Sequence, residues 1–303
     1  MKIAVLGPGG VGGLLAGLLE RAGTPVVVVA RESTAAAISE HGLSVDSVGF
    51  GRFIVHPRTE SSLRESVDAL IVATKAAGLR DALQRVAAEP KLVLPLLNGL
   101  DHLTVLRERF GRGSVLAGTI RVEADRPAPG VVVHTSPFLL VEMAGGGPPL
   151  RAEVMKLAQV LSAAEVPARV RDSEAQVMWS KLVRLNALAC TTSAFDKLLG
   201  EIRSTPELRA DLLAAIDEAC AVGRAEGADL DPASAIAELE SAHATLGSSM
   251  QRDIAAGREP ELDAIPGSVL RAASRHGLEC PTIERLVAMI AARAGVPTPG
   301  AAR

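Results

Sequence analysis

Three glycines stand at fixed spacing near the amino terminus, between two apolar segments. The apolar run Ile3–Leu6 leads into a G-x-G-x-x-G loop, and an apolar segment of helical character follows. In such a strand–loop–helix unit the first glycine allows a tight turn, the second lets the backbone approach a pyrophosphate, and the third lets the helix pack closely on the strand. The helix N-terminus then faces the phosphates. The pattern predicts a dinucleotide site formed by Gly7, Pro8, Gly9, Gly10, Val11 and Gly12.

The second apolar strand, Pro25–Ala30, ends at a cation, Arg31. Proteins specific for NAD carry an acidic residue about 20 residues after the glycines, where it binds the ribose hydroxyls. A cation at this position suits the 2′-phosphate of the phosphorylated cofactor instead. We therefore expect NADPH/NADP+ as the cofactor and Arg31 as a cofactor-binding residue, while the adjacent Glu32 leaves the strictness of the preference over NAD open.

Polar residues also follow two later apolar strands. Lys75 comes after the run that ends at Ala73, and Asn98 comes after the run Lys91–Leu96. Parallel α/β sheets bind ligands at the carboxyl ends of their strands, so both side chains are candidate cofactor-binding residues. The alternatives are a solvated lysine at a strand end and, because Asn98 precedes Gly99, an ordinary turn.

Lysine is scarce in this chain, so each lysine is a candidate for a task that arginine cannot perform. The 32 cationic residues include only six lysines, and Lys181 stands two residues after the single tryptophan, Trp179. Hydride addition to a carbonyl carbon leaves an alkoxide that a general acid must protonate. A lysine ammonium can give up a proton, whereas an arginine guanidinium cannot. Lys181 is therefore a candidate general acid; the alternative is a lysine that extends from an amphipathic helix into solvent.

Two further segments place polar residues close to predicted helices. Ser249 lies in Ser248-Ser249-Met250, and Glu261 begins a helical segment where it could simply complement the helix dipole. His276 precedes Gly277, and we interpret it as a helix C-terminal residue rather than a catalytic base.

The candidates fall into two regions of different periodicity. Up to about residue 170 apolar strands alternate with helical segments, which predicts a parallel sheet with helices on both faces and antiparallel strands at its edge. From residue 171 onward the pattern is helical throughout. The predicted helices are Glu174–Ala194, Pro206–Glu226, Pro232–Asp253, Glu261–His276 and Ile283–Ala294. We therefore predict an α/β Rossmann-type N-terminal domain at 1–170, followed by an all-α C-terminal domain at 171–303.

Composition argues against several classes of function. The formal net charge of −3 gives no electrostatic case for nucleic acid or an anionic membrane, and the chain shows neither a membrane-spanning run nor a signal peptide, so we expect a cytoplasmic protein. The three cysteines are far apart, which indicates free buried thiols and no metal site. Apolar helices in the second domain could support a homodimer.

Taken together, the segments resemble the ketopantoate reductase (2-dehydropantoate 2-reductase) family over nearly the whole chain. The resemblance implies that Arg31 and Lys75 hold the adenosine phosphate end of NADPH, and that Asn98 lies near the nicotinamide and the substrate. The matching segments, in order, are Lys2–Gly7 with its glycine loop, Arg31, Thr74-Lys75-Ala76, Asn98-Gly99, Trp179–Leu182, Ser248-Ser249-Met250, Glu261-Leu262-Asp263, and His276-Gly277 with Pro281.

The resemblance also implies roles in the second domain. Lys181 would be the general acid, Ser249 would bind the substrate carboxylate, and Glu261 would contact the substrate hydroxyl and influence Lys181. The implied reaction is the NADPH-dependent reduction of 2-dehydropantoate (ketopantoate) to pantoate in pantothenate/coenzyme A biosynthesis, by hydride transfer to the 2-oxo group.

The sequence departs from the family in the part that would bind the substrate. The family places an asparagine four residues after the catalytic lysine, but that position is Leu185 here. The neighbouring Asn186 is rotated by about 100° on a straight helix, and we keep it as a candidate substrate-binding residue. Cys190-Thr191 replaces the family's second asparagine and its proline, and Asp263–Gly267 lacks the family's usual tyrosine and asparagine.

Three alternatives therefore stand beside ketopantoate reduction. They are an NADPH-dependent reductase of another 2-oxo acid, a β-hydroxyacid dehydrogenase, and a non-catalytic NADPH or metabolite sensor. A sensor needs neither a proton donor nor its carboxylate partner, so the presence of both Lys181 and Glu261 argues against the last.

Overall fold

A computed structural model describes residues 1–300, which form two compact units. The first unit comprises Met1–Leu97 and His102–Val177, and the second comprises Asn98–Asp101 together with the described residues from Met178 onward. The sequence placed the domain boundary after residue 170 and did not separate Asn98–Asp101 from its surroundings. That boundary stays a prediction about domains, whereas the units describe how the chain packs.

Twelve strands lie in the described part of the first unit, and five of them form a parallel sheet in the order β5-β2-β1-β6-β7. A four-stranded sheet, β4-β3-β10-β9, and a three-stranded sheet, β12-β11-β8, contain the others. In chain order the strands are β1 (Ile3–Leu6), β2 (Val26–Val29), β3 (Leu43–Ser47), β4 (Gly51–Val55), β5 (Arg58–Glu60), β6 (Ala69–Val72), β7 (Leu92–Pro95), β8 (Ala117–Arg121), β9 (Ala124–Ala128), β10 (Val131–His134), β11 (Leu140–Ala144) and β12 (Ala168–Val170).

The central strands are buried on both faces because their residues are apolar without alternation. Along β1, Ile3 and Val5 belong to one apolar cluster with Leu14 of the first helix, and Ala4 and Leu6 belong to a second cluster on the opposite face. The helices of this unit are α1 (Gly10–Arg21), α2 (Glu32–His41), α3 (Leu79–Leu83), α4 (His102–Phe110) and α5 (Gly147–Ala163), with a 3-10 turn at Ala76–Gly78.

The described residues of the second unit form helices joined by loops, and they contain no strand. One π-helical turn, Asp263–Gly267, directly precedes α11. The helix α6 begins in the last residues of the first unit and continues into the second. The helices are α6 (Glu174–Phe195), α7 (Leu199–Ser204), α8 (Pro206–Ala225), α9 (Pro232–Ser241), α10 (Ser249–Ala255), α11 (Ser268–Arg275) and α12 (Pro281–Ala294). A parallel α/β unit and a helical unit confirm the predicted fold class.

The side chain of Trp179 on α6 packs against Gly223 of α8. Trp179 is 2% exposed, and a Cβ at Gly223 would lie 3.0 Å from its ring. The glycine therefore allows the indole to lie directly on the backbone of α8. The cysteines Cys190, Cys220 and Cys280 are buried and free.

In residues 1–300 we find no helix that combines the length and the apolar character needed to cross a membrane.

Candidate functional site

The glycine loop after β1 has the geometry that its spacing predicts. Gly7 has a φ of +89°, a conformation that favours glycine, and its N–H donates to the Val29 carbonyl at 3.1 Å. A Cβ at Gly12 would lie 2.2 Å from the Gly7 carbonyl oxygen, so only glycine lets α1 begin this close to β1. At Gly9 the nearest atom to a Cβ would be 3.9 Å away, which leaves room for a ligand to approach the backbone.

The start of α1 fits a pyrophosphate. Gly9 is the N-cap and no side chain caps the helix, nor does its first turn contain an acidic residue. The first N–H groups of a helix need acceptors and favour negative charge. Beside the loop, the buried Oγ1 of Thr74 has no hydrogen-bond partner, while Thr74 Cγ2 would lie 2.7 Å from a Cβ at Gly7. The backbone donors, the unpartnered hydroxyl and the open space at Gly9 together fit the pyrophosphate of a dinucleotide.

Arg31 and Lys75 lie at the same edge of the parallel sheet as the glycine loop. The strands β2 and β6 pair with β1 on either side, so their carboxyl ends flank the loop. Arg31 is the N-cap residue of α2, and Lys75 directly precedes the 3-10 turn at Ala76–Gly78. Both side chains are exposed. Asn98, predicted for the same site, belongs to the second unit.

Within the second unit, Asn98 joins Lys181 and Glu261. Lys181 Nζ donates to Asn98 Oδ1 at 2.9 Å, and Asn98 Nδ2 donates to Glu261 Oε2 at 2.9 Å. All three residues are half-buried. We call this hydrogen-bonded set the polar triad. An ammonium, an amide and a carboxylate in this order can orient a proton donor for a substrate oxygen.

Gly99 explains how Asn98 reaches Glu261. It has a φ of +80°, and a Cβ at this position would lie 1.8 Å from the Ala264 carbonyl oxygen in the π turn. Any side chain at Gly99 would push these two backbones apart. The dipeptide Asn98-Gly99 is therefore more than a simple turn: its glycine permits the close approach, and its asparagine completes the polar triad.

Arg271 on α11 is a residue that the sequence analysis did not select. Its Nη1 donates to Asp263 Oδ1 at 2.7 Å, and its Nη2 donates to the Asp263 carbonyl at 2.8 Å and to Asp101 Oδ2 at 2.6 Å. Asp101 lies three residues after Asn98, and Asp263 lies two residues after Glu261. The eight-residue spacing of Asp263 and Arg271 is about two helical turns and was the available signal.

Two predicted substrate-binding residues lie outside the hydrogen bonds of the polar triad. Ser249 is exposed at the first position of α10. Asn186 is fully buried; its Oδ1 accepts a bond from Cys190 Sγ at 3.6 Å, and its Nδ2 has no hydrogen-bond partner. Contact between Asn186 and a substrate would require this side chain to become accessible.

In residues 1–300 no group of three or more histidine, cysteine and acidic side chains is arranged to hold a metal ion.

Comparison with known proteins gives matches over both units. Residues 3–141 match the family model described as ketopantoate reductase PanE/ApbA, and residues 175–294 match the one described as its C-terminal part. The 2-dehydropantoate 2-reductase of Mycobacterium tuberculosis is 30% identical, over 97% of this chain and 98% of its own length.

Solved structures show the same fold. A PanE/ApbA family ketopantoate reductase from Ralstonia eutropha JMP134 has a TM-score of 0.85 and 26% identity, covering 97% of this chain and 99% of its own. A D-mandelate dehydrogenase solved with NADH and anilino(oxo)acetate has a TM-score of 0.89 and 24% identity, with the same coverage of both chains.

Like its homologues, the chain is thus an oxidoreductase that acts on CH–OH or C=O groups. Since the two matched segments span most of the sequence, the chain belongs to the ketopantoate reductase family.

Proposed function

We propose that this protein reduces the 2-oxo group of a small 2-oxo acid with NADPH, and that ketopantoate, which gives pantoate for coenzyme A biosynthesis, is the first candidate substrate. The observation that carries the proposal is the polar triad, because Lys181 is held by Asn98 and Asn98 in turn by Glu261. A sensor without turnover would not need an oriented proton donor.

Bound NADPH would supply the hydride. The glycine loop and the start of α1 would hold its pyrophosphate. The proton would come from Lys181 Nζ, because the reduced carbonyl carbon leaves an alkoxide that requires a general acid. Asn98 Oδ1 accepts one hydrogen bond from the ammonium and so fixes its direction. Glu261 accepts from the other end of the same amide and keeps that amide from rotating. Ser249 is proposed to bind the substrate carboxylate, and Glu261 the substrate hydroxyl.

A related 2-oxo acid is the second candidate substrate. Leu185 occupies the position of a family asparagine, and the π turn Asp263–Gly267 lacks the tyrosine and the asparagine that the family usually has. These changes remove hydrogen-bonding groups, which supports the proposal of a branched or apolar 2-oxo acid as the alternative substrate. A site that lacks a hydrogen-bond partner loses much of its ability to select a hydroxylated substrate.

Steady-state oxidation of NADPH with a panel of 2-oxo acids tests the proposal. The panel should contain ketopantoate, its analogue without the hydroxyl, and branched and aryl 2-oxo acids. We expect the highest kcat/KM for ketopantoate or for a branched relative. A Lys181→Ala preparation purified in parallel measures contaminating reductases. If no member of the panel is reduced faster than that background, the enzymatic proposal is rejected.

Arg31 is proposed to hold the 2′-phosphate of NADPH. Loss of a charge-assisted hydrogen bond costs about 1.5–3 kcal/mol, so Arg31→Ala should raise the KM for NADPH by about tenfold or more and leave the KM for NADH nearly unchanged. Arg52→Ala removes another exposed arginine of the same unit and serves as the control. An equal effect of Arg31→Ala on both cofactors would exclude a contact with the 2′-phosphate.

The homodimer and the cytoplasmic location stay predictions of the sequence.

A further inference from the structure

We infer that Arg271 is a positioning residue for the polar triad: it holds the segment that carries Asn98 against the π turn that begins two residues after Glu261. The inference rests on the proposed function of the triad. Arg271 makes no direct contribution to the chemistry in this proposal, since its three hydrogen bonds go to Asp101 and Asp263.

The π turn explains why Arg271 finds a backbone acceptor here. Pro266 has no N–H, so the Leu262 carbonyl cannot receive the ordinary helical bond from position 266. The N–H of Gly267 donates to Leu262 instead, at 3.1 Å, and is thereby withdrawn from its helical partner, the Asp263 carbonyl. Arg271 Nη2 donates to that carbonyl at 2.8 Å. The guanidinium thus donates to a carbonyl whose ordinary helical donor, the Gly267 N–H, is shifted to Leu262 at the proline.

The same guanidinium extends to the second segment. Its Nη2 also donates to Asp101 Oδ2, which ties the short Asn98–Asp101 segment to the π turn. Arg271 is only 15% exposed, whereas the side chains of Asp101 and Asp263 are 49% and 74% exposed. Exposed carboxylates alone would be mobile, and a shielded planar fork with fixed donor directions can hold both.

The packing around Arg271 leaves little room for another arrangement. A Cβ at Gly267 would lie 3.2 Å from Arg271 Nη1 and 3.2 Å from Asp263 Oδ1. In the same turn, Gly99 already lies against the Ala264 carbonyl. The two contacts, backbone against backbone and guanidinium against two acids, together fix the distance at which Asn98 Nδ2 meets Glu261.

The test compares Arg271→Gln with Arg275→Gln. Arg275 lies one turn further along α11, is 49% exposed and pairs with Glu226, so it is a matched control. Misplacement of catalytic groups by about 1 Å can cost 10²-fold in rate, and we expect Arg271→Gln to lower kcat by about 10- to 100-fold while the KM for NADPH stays unchanged. Arg271→Lys keeps the charge but loses the planar fork, so it should restore only part of kcat.

Amide hydrogen exchange gives a readout that does not depend on turnover. In Arg271→Gln, peptides that cover residues 98–101 and 261–267 should exchange faster, and peptides of α8 and α12 should not. Asp101→Asn weakens only the link to the Asn98 segment and lies at an exposed carboxylate. If Arg271→Gln does not fold, Asp101→Asn takes its place in the measurements of kcat and of amide exchange at residues 98–101.

The outcomes separate the two proposals. An inactive wild-type enzyme with faster exchange in Arg271→Gln would reject the proposed function and keep the structural role of Arg271. An active wild type whose folded Arg271→Gln variant retains its kcat, or loses no more than Arg275→Gln, would overturn the positioning role. Unchanged exchange at 98–101 and 261–267 would overturn it as well.

Discussion

Asn98 has a task that few side chains could perform. A carboxamide carries an acceptor at one end and two donors at the other, so it can stand between an ammonium and a carboxylate and satisfy both. Its orientation is fixed by the charges on either side, Lys181 at Oδ1 and Glu261 at Nδ2. Aspartate would lose the donor and place a second negative charge beside Glu261.

Replacement of Lys181 tests the proton donor directly. Lys181→Ala should lower kcat by about 100-fold or more, the usual scale for a general acid. Lys181→Arg should be nearly as slow, because it keeps a cation that can bond to Asn98 but cannot release a proton at ordinary pH. Steady-state NADPH oxidation with the best substrate of the panel measures both rates.

Lys197→Ala is the control for a missing lysine in the same unit, since Lys197 pairs with Glu201 at the surface. It should change kcat by less than about twofold. A fully active Lys181→Arg variant would show that the cation is required and that proton donation is not.

At this scale the sequence was informative about some residues and silent about others. The scarcity of lysine and its ability to donate a proton predict Lys181, and the strand end predicts Asn98. The family resemblance adds the role of Glu261. Arg271 could not be selected in this way, because an arginine on an amphipathic helix is the ordinary surface residue of this chain. Its bonds to Asp101 arise from packing between segments 170 positions apart.

Among the elements, α10 shows how two adjacent serines have different tasks. Ser248 is the buried N-cap: its Oγ accepts from the Gln251 N–H at 3.0 Å and from Thr192 Oγ1 at 2.8 Å. Ser249, the next residue, is exposed at the first helical position. One serine therefore fixes the helix on α6, and the other is available to a ligand.

Alanine at each of these positions should separate stability from binding. Ser248→Ala should lower the free energy of unfolding by about 1–2 kcal/mol, because the cap is lost and the hydroxyl of Thr192 loses an acceptor. Ser249→Ala should change stability by less than about 0.5 kcal/mol but raise the KM for the 2-oxo acid about tenfold. Urea unfolding and steady-state kinetics measure the two effects. A normal KM in Ser249→Ala would remove Ser249 from the substrate site.

The sequence predicted the type of most elements better than their ends. The apolar strands and the long helices α6, α8 and α12 agree closely with the structure because periodicity and proline starts mark them. One helix was predicted over Pro232–Asp253, but the chain leaves the helix after Ser241 and restarts at Ser249. The reason is tertiary: in the break, the carbonyls of Ala244 and Leu246 accept the N–H groups of Gly200 and Leu199.

The short helix α7 and the π turn were not predicted, and the reason is similar. Short elements of five or six residues carry too little periodicity to be recognised, and their stability comes from neighbours. The helix predicted over Glu261–His276 contains Pro266, and the structure accommodates this proline in a π turn that the periodicity does not predict.

Over the whole molecule, ionisable groups make stability depend on pH, and the buried imidazole of His134 contributes to this dependence near neutrality. His134 is 2% exposed; its Nδ1 lies 2.8 Å from Ser47 Oγ, and its Nε2 lies 3.2 Å from Ser136 Oγ. Burial lowers the pKa of His134 below its usual 6.5. The unfolded chain therefore binds the proton more readily, and stability is lost as the pH falls through about 6.5 towards the folded pKa.

We expect the thermal unfolding midpoint to fall between about pH 7.5 and pH 5.5, with further loss below about pH 4. There, Asp68 beside Lys91 and Asp196 beside Arg293 have lowered pKa values and lose their charge. His134→Gln should lower the midpoint at neutral pH but flatten its dependence between pH 7.5 and 5.5. Calorimetric scans of both proteins at several pH values measure this. An equally steep dependence in the variant would exclude His134 as its source.

The packing of Trp179 on Gly223 has a spectroscopic consequence. The chain contains one tryptophan and no tyrosine, so its intrinsic fluorescence comes almost entirely from a single indole. That indole is buried on α6, two residues before Lys181. Its emission should therefore be blue-shifted in the native state and should respond, without background from other rings, to any event that alters the helix carrying the proposed proton donor.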